Sequence, residues 1–69
     1  MQLIVNGEPR HFPLLSEAPT LAALLTALGY AGKRIAVEQN GEIVPRSRHA
    51  SAALADGDRI EIVVAVGGG

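Results

Sequence analysis

Few residues in this 69-residue chain have the types or spacing that side-chain chemistry requires. There is no cysteine, so no thiol is present to act as nucleophile, redox centre or soft metal ligand. His11 and His49 lie far apart in the sequence and match no metal-ligand spacing. His11, on an edge strand, reads as a solvated surface residue. Ser16, Ser47 and Ser51 have no evident base partner for a hydrolytic triad. Asp56 and Asp58 flank Gly57 as a tight turn does, which explains them better than a paired-carboxylate site. Gly29 and Gly32 lack the lysine spacing of a phosphate-binding loop. What remains is Gly67-Gly68-Gly69, directly after an apolar strand. Glycine weakens strands and has no side chain to pack, so this run is expected to be a mobile tail. A frayed terminus is the alternative reading. Three extended residues reach about 10 Å, and without Cβ atoms they fit a narrow channel in a partner enzyme.

An α-carboxyl at Gly69 has an ordinary pKa of roughly 3.3–3.7 and is ionised at neutral pH. A carboxylate is a poor electrophile, so a partner must activate it, most simply with ATP to give an acyl-adenylate. A sulfur donor then yields a thiocarboxylate, and an amine yields an amide or isopeptide. In both cases the chain is a cosubstrate and not an enzyme, and ATP is used by the partner rather than bound as a cofactor here.

The elements that would present such a tail are legible in the pattern. Met1 to Val5 reads as a strand with Met1, Leu3 and Val5 on one face. Asn6-Gly7 is the preferred pair for a type I′ hairpin. A return strand from about Glu8 to Phe12 contains Pro9, which cannot donate to a ladder and so places it at a sheet edge. Thr20 is a helix N-cap, followed by Leu21, Leu24, Leu25 and Leu28 on one helical face, with Gly29 ending the helix in the left-handed region. Arg34 to Glu38 reads as a third strand and Asn40-Gly41 as a second hairpin. Ile43-Val44 forms a short fourth strand that Pro45 stops. The weakly patterned Ser47 to Ala53 holds at most a turn of helix. A final strand runs from Arg59 to Val66. The fold class is therefore α+β, with the order β-β-α-β-β-β. One main helix packs on a mixed sheet of four to five strands, an order that fits a β-grasp, the ubiquitin-like architecture. Residues 1–66 form the domain and 67–69 the tail.

Size and composition agree. A chain this short buries only about 60% of its unfolded surface and has little room for a deep cleft. Hydrophobic residues make up 48%, enough for a core. A formal charge of -1, with only Phe12 and Tyr30 as aromatics, argues against nucleic acid as a partner. The apolar runs are too short for a membrane span, and no secretory signal opens the chain, so a cytoplasmic location is the expectation.

The stretch Ala36-Val37-Glu38-Gln39-Asn40-Gly41-Glu42-Ile43-Val44-Pro45-Arg46 resembles the strand-turn-strand signature of the ThiS family, the sulfur carriers of thiamine (thiazole) biosynthesis. Leu54-Ala55-Asp56-Gly57-Asp58-Arg59-Ile60-Glu61-Ile62-Val63 is similar to that family's turn into the last strand. Ala65-Val66-Gly67-Gly68-Gly69 is similar to its glycine terminus. His49 departs from the family, standing where many members carry tryptophan, a change expected to touch only surface detail. The Pro13 to Pro19 connection also looks unusual. The resemblance implies that an E1-like adenylyltransferase adenylates Gly69. It implies too that sulfur from a cysteine-desulfurase persulfide converts it to a thiocarboxylate, and that thiazole synthase takes the sulfur. Gly68 matches the family's penultimate glycine, and Val66 and Gly67 are expected to help thread the tail into a partner. Part of the sheet should dock partners. Ile43 and Val63 are candidates, with core packing the alternative for Ile43. The free chain is expected to be monomeric. A molybdopterin-synthase small subunit shares this chemistry with a different acceptor, and a ubiquitin-like protein modifier would end in an isopeptide instead.

Overall fold

The structure, a computed structural model, describes residues 1–13 and 19–65. The tail expected at 67–69, with Val66 before it, lies outside the described residues, as does most of the Pro13 to Pro19 connection. The element order is β1 (Gln2–Val5), β2 (Glu8–His11), α1 (Leu21–Ala27), β3 (Ile35–Gln39), β4 (Glu42–Ile43), a 3₁₀ turn at Arg46–Arg48 and β5 (Arg59–Val64). The five strands form one sheet in the order β2-β1-β5-β3-β4. β5 runs parallel to β1 and antiparallel to β3, and the two hairpins β1-β2 and β3-β4 are antiparallel. This is a mixed five-stranded β-grasp sheet with a single helix among the described residues.

Both Asn-Gly pairs make the turns their sequence demands. Asn6 and Gly7 have φ of 50° and 82°, and Asn40 and Gly41 have 52° and 87°. A type I′ turn requires positive φ at both central residues. Pro9 lies on β2, at the edge of the sheet. There its missing N–H is harmless.

The Thr20 hydroxyl caps α1 by accepting from the Ala23 N–H at 3.2 Å. At the other end Gly29 takes φ 84°. Its N–H donates to the Thr26 carbonyl, and the Tyr30 N–H donates to the Leu25 carbonyl. That pair of bonds is a Schellman cap. Leu21, Leu24 and Leu25 are buried, and Leu28 packs at the margin of the core. They meet Leu3, Val5, Val37, Ile60 and Ile62 from the inner face of the sheet, with Leu54 closing one end.

Several boundaries differ from the pattern-based reading. Met1 and Phe12 fall just outside their strands but pack against the core. β3 is displaced by one residue, and β5 ends at Val64. His49 corrects the expectation of a surface position. It is 8% exposed, and its Nε2 lies 3.0 Å from the Val44 carbonyl oxygen. Its own carbonyl accepts from the Ala22 N–H. The residue thus joins the stretch after β4 to the start of the helix, with its ring polarity satisfied as burial requires.

Candidate functional site

β5 is the strand that leads to the tail, and the sequence secures it at both ends. Ile60 and Ile62 are buried in the core. The Asn6 side chain accepts from the Ile62 N–H at 2.7 Å, and the Asn40 side chain accepts from the Arg59 N–H at 2.9 Å. The two hairpin asparagines therefore do more than tolerate positive φ. Each reaches across to the last strand and satisfies one of its backbone donors.

The turn that starts β5 is tied down as well. Asp56 Oδ1 accepts from the Gln2 N–H at 2.6 Å. Asp58 accepts at Oδ1 from Asn40 Nδ2 and at Oδ2 from Gln39 Nε2 and the Ala55 N–H, at 2.8–3.0 Å. Burial raises the Asp58 pKa, but the bonds from Asn40, Ala55 and Gln39 outweigh it and hold the carboxyl below its ordinary 3.8. The two aspartates are thus turn and brace residues and not an acid-base pair, as their spacing suggested.

At the far end of β5 the Ala65 N–H donates to the Arg34 carbonyl at 2.9 Å. A groove of ≈ 390 Å³ lies beside it, lined by Arg34, Ile35, Ala36, Arg46, Val63 and Ala65. Arg46 Nη2 donates to the Lys33 carbonyl at 3.0 Å. Ala65, one residue past β5, is thus held by a backbone bond, and Arg34 and Arg46 line the groove it shares.

The other sequence candidates are scattered. His11 is exposed on β2, at the opposite edge of the sheet from β4. Ser51 Oγ donates to the Arg48 carbonyl. A second groove, ≈ 660 Å³, is lined by Glu42, Ile43, Pro45 and Arg48 among others. Neither histidine is among its lining residues. Ile43 and Val63, the docking candidates, are 77% and 63% exposed, which resolves Ile43 away from the core. No helix among the described residues is long and apolar enough to cross a membrane.

Comparisons with known proteins converge on one family. The ThiS family model matches residues 3–69. A thiamine biosynthesis protein (ThiS) from Geobacter metallireducens has a crystal structure similar to this one. The TM-score is 0.83, with 36% identity and full coverage of both chains. A protein named thiazole synthase from Paramagnetospirillum magneticum is 49% identical over all 69 residues, which cover 20% of its length. Another so named, from Magnetococcus marinus, is 38% identical over the same share. The chain thus spans about a fifth of the length of these two relatives. An uncharacterized protein, ycf40, from Porphyra purpurea is 38% identical over 65 residues and is covered to 87%.

Proposed function

The chain belongs to the ThiS family, whose carriers are not enzymes, and from that premise we propose that it carries sulfur on the α-carboxylate of Gly69 for the thiazole of thiamine. The observation that carries this reading is the family match, which runs through the three glycines to residue 69. An E1-like adenylyltransferase binds the ATP that the first step consumes. The Gly69 carboxylate attacks the α-phosphorus, pyrophosphate leaves, and an acyl-adenylate forms. The terminal sulfur of a persulfide, supplied by a cysteine desulfurase, then displaces AMP. The new C–S bond makes an acyl disulfide. A thiol of the partner proteins attacks its S–S bond, forms a disulfide with the donor's cysteine and releases the thiocarboxylate, whose sulfur thiazole synthase takes.

This chain contributes presentation. Val66, Gly67 and Gly68 thread the partner's channel, the two glycines because residues without a side chain fit where one would clash. The braced β5 sets the distance from the docked domain to the reacting carbon. Orientation of this kind is a large share of the barrier lowering when two proteins react.

The test is intact mass of the purified chain after incubation with ATP, the activating enzyme and a sulfur donor. One oxygen is expected to be exchanged for sulfur, and fragmentation should place the change on Gly69. A change on any other residue would overturn the reading. A deletion strain that needs thiamine and grows on thiazole assigns the pathway. A loss of molybdopterin enzymes instead would reassign the acceptor.

A further inference from the structure

The sheet face turned away from α1 carries a feature that costs stability. Glu38 on β3 and Glu61 on β5 are directly opposite each other in the antiparallel register, and both are exposed. Like charges facing each other across a strand pair are destabilising. Among the described residues no hydrogen bond reaches either carboxylate. Arg59 shares the face two residues before Glu61, with its backbone bonded to Asn40.

The surroundings of the pair are apolar and open. Ile43 is opposite Glu38 on its other side, so Ile43, Glu38 and Glu61 form one row across β4, β3 and β5. At a strand spacing of about 4.8 Å that row spans roughly 10 Å. Val63 and Ala36, opposite each other, make the next row toward the tail. Two carboxylates flanked by a 77% exposed isoleucine and a 63% exposed valine form a negative centre with a greasy rim.

We infer that this face docks on thiazole synthase by receiving one of its arginine or lysine side chains between Glu38 and Glu61, while Ile43 and Val63 pack on apolar residues around that cation. The inference rests on the sulfur-carrier reading and adds to it the recognition element on this side. Charge complementarity fixes the chemistry of the occupant, since only a cation relieves the repulsion of the pair. A guanidinium suits two carboxylates because its donors form a fork. A second copy of this chain is disfavoured, because face-to-face pairing about a two-fold axis would bring four carboxylates together. Thiazole synthase is the partner named because relatives of that name contain this unit within their own chain.

The test is titration of the full chain into thiazole synthase by calorimetry, using wild type, E38Q/E61Q and I43A. E38Q/E61Q should melt at the same temperature as wild type or higher, since it loses the repulsion, yet bind about tenfold or more weakly. Added salt should weaken wild type more than the double variant. I43A should lose affinity without becoming salt-insensitive. If wild type binds and E38Q/E61Q binds equally well, the cation slot is wrong and the carrier reading stands. If wild type does not bind at all, the slot falls together with thiazole synthase as acceptor. Sedimentation that shows a dimer lost in I43A would assign the face to self-association and overturn the proposal.

Discussion

Asp58 concentrates three hydrogen bonds on one carboxylate and links the turn before β5 to the β3-β4 hairpin. Its folded-state pKa is depressed because these donors favour the charged form against a burial effect of opposite sign. A depressed carboxylate contributes stability that is complete above its unfolded value, about 3.9. That stability is lost as pH falls through the lower folded value. Wild type should therefore lose melting temperature below about pH 4 more steeply than D58N, which has no proton to gain. At pH 7 D58A should cost about 1–3 kcal/mol, the usual range when bonded partners are left without their acceptor. Thermal melts from pH 2 to 7 check both, and parallel curves for wild type and D58N would refute the first. The aspartates were legible as turn residues because Asp-Gly-Asp satisfies local backbone geometry. Their long-range partners were not, since nothing in a local pattern says that Gln39 and Asn40 will lie beside residue 58. His49 shows the same limit. A lone polar residue in an unpatterned stretch carries no sign of being buried, and only the packing of that stretch against the helix start makes it so.

At the scale of elements, the hairpins show how far local signals extend. Asn-Gly predicts the two type I′ turns, leucine spacing predicts the helix face, and Pro9 predicts an edge strand. All of these depend on neighbours in sequence. That the asparagine side chains bond β5 was not legible, because Asn6 and Ile62 are joined only through the parallel pairing of β1 with β5. The two roles separate by substitution. N40G keeps the positive φ and removes the side-chain bonds to Arg59 and Asp58, whereas N40A removes the same bonds but retains a Cβ at φ 52° without the polar side chain that offsets its cost. N40G should lose roughly 1 kcal/mol, the net worth of a typical hydrogen bond, and N40A should lose about 1–2 kcal/mol more. Urea denaturation measures both. Equal losses would mean that the turn conformation contributes nothing beyond the side-chain bonds. The exposed pairing of Glu38 with Glu61 belongs to this scale too. It follows from the β3-β5 register, and register depends on which distant strands meet.

At the scale of the molecule, fold and function divide along the chain. Among the described residues the buried core runs from Leu3 to Ile62. The reactive group is proposed to sit past its end. This division explains why the tail was the most informative part of the sequence. A core of leucine, isoleucine and valine is common to many small domains, but three glycines after a strand serve packing poorly. It also predicts that stability and activity come apart. Removing Gly68 and Gly69 should leave the melting temperature within about 1–2 °C of wild type, because a change of 1 kcal/mol in a domain this size moves it by about 4–8 °C. The same truncation should abolish adenylation, measured as ATP-dependent pyrophosphate exchange with the activating enzyme. It ends in Gly67, so a carboxylate is still present but is held about 7 Å short of its former reach. Restoring two residues as Ala-Ala returns the length and adds two Cβ atoms. If the channel is narrow, Ala-Ala should recover little exchange. If it recovers most, reach rather than slimness is what the glycines supply. A truncated chain that exchanges as fast as wild type would remove the tail from the mechanism, and a truncated chain that melts far lower would mean that the tail also serves the fold.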